Sequence, residues 1–177
     1  HNEQLFYKNA VILKDTISML QDIYLTKNTD NQFLGDLFEG FLNRGVHQSE
    51  GQFFTPMPIV RFLVSSLPLR QIIESGEIPK AIDYACGAGH FLTEYARQIK
   101  PFIEEKMNLQ NEHDPKAKEE KLNAECFKYF KEIVGIEKDY RLSKVSQVAA
   151  FMYGMDGIHI HYGDGLKETS DIKDHTY

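Results

Sequence analysis

From Lys80 onward one local order occurs twice and starts a third time: a short apolar run, a turn, then a helix-patterned segment. Lys80 to Ala85 runs into Cys86-Gly87-Ala88-Gly89, followed by helical periodicity from Phe91 to Ile99. Glu132 to Glu137 (EIVGIE) leads into a helical stretch from Asp139 to Gly154, with Gly154 as its stop, and Ile158 to Tyr162 is a third strand. Strands separated by whole helices cannot pair through tight hairpins. The pattern therefore predicts an α/β fold, a parallel sheet with right-handed helical crossovers of the doubly wound kind.

The upstream third is patterned for helix alone. Apolar residues from Leu5 to Leu25 recur at three and four, a second helix is expected from Gln32 to Leu42 with Gly45 behind it, and a third from Pro56 to Leu67 with Thr55 as its N-cap. Two regions follow: a helical N-terminal region at 1–50, and at 51–177 a sheet domain carrying a charged, helix-prone insertion at 101–130. The run Lys116 to Lys121 within it is a solvated helix face. At 177 residues the chain can bury about two thirds of its unfolded surface. Cys86 and Cys126 form no disulfide framework or CxxC knuckle, and no apolar run reaches membrane length, so the expected setting is the cytoplasm, away from membranes. The net charge of -6 does not favour gripping a polyanion, so a nucleic acid, if it is a partner, is expected to be held mainly by other regions.

Three strand ends carry residues suited to a nucleoside. The turn of DYACGAGHFL, Asp83 to Leu92, has a bare backbone at Gly87 and Gly89 that lets a ligand approach. A dinucleotide fingerprint would need a glycine at position 92, which is Leu92, and this argues against NAD. Glu137 ends the second strand, where a carboxylate can accept both hydroxyls of a ribose. Asp164, in HYGDGL after the third, can accept from the exocyclic amine of an adenine. Taken singly, Glu137 is also a helix-start acid and Asp164 a turn residue. Their succession at neighbouring strand tips favours the shared site. Upstream, GQFFTP (Gly51 to Pro56) meets a helix start that could take a small carboxylate.

GQFFTP, DYACGAGHFL, GIEKDYRLSKVSQVAAFMYG and HYGDGL resemble, in that order, the cofactor-binding portion of the modification subunit of type I restriction-modification systems, an N6-adenine DNA methyltransferase family. The resemblance covers roughly residues 1 to 166. It implies a Rossmann-like methyltransferase fold, S-adenosylmethionine as cofactor, DNA as substrate, and restriction and specificity subunits as partners. It also implies roles: Phe54, Thr55 and Pro56, with Gln52, on the cofactor's methionine end; Asp83, Gly87, Ala88 and Gly89 on that end and the sugar; Glu137 on the ribose; Asp164 on the adenine. The chain departs from the family at Tyr84, where proline is frequent, at His90, where a small residue is, and at Ala149, where asparagine is. Glu137 also lies 54 positions beyond Asp83, so the crossover between them carries an insertion.

In this family the target adenine is met by an acid or amide, two adjacent prolines and an aromatic, polar acceptors orienting the amine and the ring stacking on the base, whereas the six prolines here are all separated. The expectation is a piece of a larger subunit whose catalytic motif lies elsewhere, so that no catalytic residue is assigned. Other readings stay open: a nucleotide-binding scaffold that docks a partner through its helical N-terminus, or a methyltransferase for RNA or protein. Cys86 lies inside the glycine turn rather than after a proline, which argues against a cytosine-5 nucleophile. His159 and His161 share a strand face without a third ligand, which argues against a metal.

Overall fold

A computed structural model describes residues 54–108, 114–155 and 157–167, together with helical positions 10–12, 14–15 and 17–18. Residues 1–31 and 32–177 are separate compact units. In the first, the described positions are helical, within the span expected from Leu5 to Leu25, and Val11, Ile12 and Ile17 are exposed. The helix expected from Gln32 to Leu42, its Gly45 stop and Gln52 lie outside the described residues.

The second unit has the order α1 (Met57–Ser65), α2 (Leu69–Glu74), β1 (Ala81–Asp83), α3 (His90–Met107), α4 (Pro115–Phe130), β2 (Ile133–Glu137), α5 (Tyr140–Met152) and β3 (His159–Tyr162). The three strands form a parallel sheet in the order β1-β2-β3, with Ala81 opposite Ile133 and Val134 opposite His159. Every residue of the central strand β2 is buried, as expected of a parallel strand covered on both faces. α3 packs against β1, β2, α1, α2 and α4, while α5 packs against β2 and β3. Among the described helices none is long and apolar enough to cross a membrane.

Two boundaries differ from the sequence expectation. The helix expected to stop at Ile99 continues through Pro101 to Met107. A proline inside a helix removes one hydrogen bond. Here the loss is offset because Leu92, Tyr95, Ala96, Ile99 and Ile103 make one buried stripe, and Ile103 could not join it if the helix ended earlier. The helix stops at Asn108, which has a left-handed φ of 48°. The expected insertion is thus the last turns of α3 plus α4, which packs on α3 through the buried side of Leu122, Cys126, Tyr129 and Phe130.

The second difference is at α1, which Thr55 does not cap. Pro56 holds the N-cap with an extended ψ of 135°, and no side chain caps the helix. The reason is local. Were Thr55 the cap, Pro58 would be the third helical residue, and only the Met57 N–H would remain as a donor to the threonine hydroxyl, so the cap is weakened. The Pro56 carbonyl instead accepts from Ile59 and Val60 at 2.9 and 3.2 Å.

Candidate nucleoside site at the strand ends

The site is built around the carboxylate of Glu137, the last residue of β2. One oxygen accepts the Gly87 N–H at 2.7 Å and the other accepts the Asp139 N–H at 2.7 Å. A single buried side chain thus ties the glycine turn after β1 to the start of α5, and each carboxylate oxygen keeps a further lone pair. Charge-assisted bonds of this length are among the stronger ones available to a backbone amide.

The turn follows the strand in tight steps. Cys86 N–H donates to the Ile136 carbonyl at 3.0 Å, and Gly89 N–H donates back to the Cys86 carbonyl at 2.7 Å. Gly87 and Gly89 have φ of 54° and 82°, in the left-handed region where a side chain is strained. Gly89 also has no room for one. A Cβ there would run into the Ser146 hydroxyl of α5, so the turn and that helix meet backbone to side chain. Beneath them Gly135 in β2 leaves space for Leu92 and Cys86, where a Cβ would come within 2.6 Å of the leucine and 2.9 Å of the sulfur.

The third strand joins at the same end. Gly163 N–H donates to the Glu137 carbonyl at 2.9 Å, and the loop beyond it lies so close to the first turn that a Cβ on Gly165 would overlap the Tyr84 carbonyl. Asp164 accepts from Leu166 N–H at 3.2 Å, and its other oxygen is 3.6 Å from the Lys138 ammonium. The Leu166 N–H first, then Lys138, holds its carboxyl below the ordinary aspartate range. Asp83 behaves oppositely. Burial pushes its carboxyl up, the Ala85 N–H partly opposes this, and Glu137 adds repulsion.

Asp83, Gly87, Ala88, Gly89, Glu137 and Asp164 therefore gather at one end of the sheet. Phe54 joins them, its ring 3.8 Å from where a Gly87 Cβ would stand and 5.4 Å, centroid to centroid, from His90. Thr55 and Pro56 follow it, both exposed. Five neighbouring residues were missed by sequence reasoning. Asp139 caps α5 by accepting from Arg141 at 2.7 Å and Leu142 at 3.2 Å, a signal readable from an acid placed before a helix. Lys138 is the residue after Glu137. Ser146, and the Tyr140–Tyr162 ring pair at 5.5 Å, gave no signal, because each depends on the meeting of two distant segments.

Burial first, with Asp83 adding to it, pushes the Cys86 thiol up to about 12, so it stays protonated and is a poor nucleophile near neutral pH. His159 and His161 lie on β3, and among the described residues no group of three His, Cys, Asp or Glu could hold a metal.

A profile of the family described as N-6 DNA Methylase matches residues 29–176. The type I restriction enzyme EcoEI methylase subunit of Escherichia coli is 30% identical over 89 residues, which are 49% of this chain and 17% of that subunit. The matched stretch is thus a minor part of the length of that relative.

Proposed function

We propose, from the premise that this chain belongs to the N-6 DNA methylase family, that residues 51–177 are the S-adenosylmethionine-binding part of a DNA adenine-N6 methyltransferase. The observation that carries this reading is the double use of Glu137, which accepts from Gly87 and Asp139 and still has a lone pair on each oxygen for the two hydroxyls of a ribose. That carboxylate stands at the carboxyl end of a parallel sheet, where α/β folds bind ligands.

The remaining roles follow from position. Asp164, kept ionised by the Leu166 N–H and Lys138, is suited to accept from the adenine amine. The bare backbone of Gly87 and Gly89, with Ala88 between them and Asp83 behind, faces the sugar and the methionine end. Phe54, Thr55 and Pro56, with Gln52, cover that end, and the Thr55 hydroxyl is not engaged in capping α1. When bound, the cofactor supplies an electrophilic methyl on sulfur. The residues here bind and orient it, while the groups that position the target amine, at a base turned out of the duplex, belong to another part of the protein.

The finer fold reading is the first half of a Rossmann-like doubly wound sheet. The strand order runs one way from β1, and among the described residues the outer edge of β1 has no strand beside it. That edge flanks a cavity of about 520 Å³ lined by Val64, Leu67, Ile82, Phe91 and Tyr95, a space suited to further strands. The helical region at 1–50 would be a separate N-terminal part. Within a type I restriction-modification system the partners are DNA and the restriction and specificity subunits, in the cytoplasm.

Isothermal titration with S-adenosylmethionine tests the reading. Binding by the wild type and a loss of at least about tenfold in Glu137→Ala, equivalent to about 1.4 kcal/mol, is the expected result. Absence of heat in the wild type, in a protein shown by circular dichroism to be folded, would refute it.

A further inference from the structure

The ring of His90 has no part in the roles assigned above, yet it lies in the most constrained part of the turn. His90 is the first residue of α3, directly after Gly89, which lies so close to the Ser146 side chain that a Cβ would not fit. Its carbonyl accepts from the Thr93 hydroxyl at 3.3 Å, and Thr93 also takes the Gly89 carbonyl through N–H and hydroxyl at 2.9 and 3.0 Å. A side chain on such a base has a well-defined place to point. It meets Phe54, with the rings 5.4 Å apart and inclined at 58°, within the range in which tilted aromatic pairs attract.

Phe54 in turn lies over the bare side of Gly87, at ordinary van der Waals distance from a virtual Cβ. The Gly87 N–H is spent on Glu137. One line of contacts thus runs from the segment ahead of α1, through Phe54 and His90, to the glycine turn and the acid of β2. The residues that follow Phe54, Thr55 and Pro56, are exposed, and no side chain caps the helix they precede.

We propose that His90 is a positioning residue that docks Phe54 over the glycine turn and thereby closes the upstream segment on the methionine end of the bound cofactor. The proposal rests on the cofactor reading above. It makes the aromatic face of His90, and not its charge, the feature that matters. It also confines the effect to the half of the ligand beyond the sugar, because Glu137 and Asp164 reach the nucleoside half without Phe54.

The test compares the affinities of S-adenosylmethionine and 5'-deoxyadenosine, which lacks the methionine part, for wild type, His90→Ala, His90→Phe and Phe54→Ala. Loss of one aromatic pair corresponds to roughly 2- to 12-fold in affinity. The expected result is a loss of that size for S-adenosylmethionine in His90→Ala, no change for 5'-deoxyadenosine, and recovery in His90→Phe. Phe54→Ala should weaken S-adenosylmethionine at least as much, and adding His90→Ala to it should cost nothing more. Unchanged S-adenosylmethionine affinity in His90→Ala, equal losses for both ligands, or a His90→Phe variant no better than His90→Ala each overturn the proposal while leaving the cofactor reading standing. Failure of the folded wild type to bind either ligand overturns the cofactor reading, and this proposal with it.

Discussion

Replacing Gly89 with alanine tests the glycine turn most directly, because two separable penalties meet at one atom. The residue has a φ of 82°, and placing an L side chain in the left-handed region costs roughly 1–2 kcal/mol. The new methyl group also collides with the hydroxyl of Ser146, a residue only 1% exposed, and overpacking of this kind costs about 1–3 kcal/mol. Gly89→Ala should therefore lose about 2–5 kcal/mol of stability. Ser146→Ala separates the penalties: it deletes the colliding oxygen and leaves only the Ser146 Cβ, 3.3 Å from the new carbon. In that background Gly89→Ala should retain the backbone cost and lose most of the collision, a coupling of about 1–2 kcal/mol. Equilibrium unfolding in urea on the four proteins of the cycle, with unchanged denaturant slope, measures it. Additivity within about 0.5 kcal/mol would show that α5 and the turn do not meet as described.

Asp83→Asn should separate stability from binding. The native pKa of Asp83 is raised by burial, so ionisation opposes folding: stability falls as pH rises from the ordinary aspartate value through the raised native one, and the penalty is complete at neutral pH. The asparagine can still accept the Ala85 N–H, and is expected to raise the urea midpoint at pH 7, with no gain at a pH below the ordinary aspartate value, while weakening S-adenosylmethionine. A variant destabilised at pH 7 would contradict this. Glu94 has the opposite sign. Burial would raise its carboxyl, but Arg97 at 2.7 and 2.8 Å, Gln98 at 2.7 Å and the nearby Arg61 outweigh it and hold the pKa below the usual value. Its contribution is present above the ordinary glutamate pKa and is lost as pH falls through the lowered native one. Glu94→Gln should cost roughly 1–3 kcal/mol at pH 7 and flatten the acid limb of a stability-pH curve; an unchanged acid limb would show that this network between α1 and α3 is not formed.

The elements that were legible in the sequence are those whose cause is local. The three strands are apolar runs of a few residues between turn signals, and they stand at 81–83, 133–137 and 159–162 within the expected spans. Gly154, expected as the stop of the second crossover helix, follows α5 with a φ of 70°, a conformation that only glycine accepts cheaply. That the glycine turn, Glu137 and Asp164 would come together could likewise be read from strand order, since a parallel sheet brings its carboxyl ends to one side.

Where a boundary or contact depended on something far along the chain, local reading failed. Pro101 reads as a break, yet α3 passes through it because Ile103 has a buried place to reach. Thr55-Pro56 reads as a cap, yet the helix starts one residue later, with Pro56 at the N-cap, and Pro58 removes one of the two N–H groups a Thr55 cap could use. The sequence alone determined that strands and helices alternate and which residues stand at the strand ends. Only tertiary structure decided that Glu137 spends its carboxylate on Gly87, fifty residues earlier, that Gly89 lies against Ser146, and that Gly165 meets Tyr84. The physical reason is that propensity and capping act over a few neighbouring residues, whereas a hydrogen bond or a steric limit across the sheet exists only after the strands have paired and set its distance.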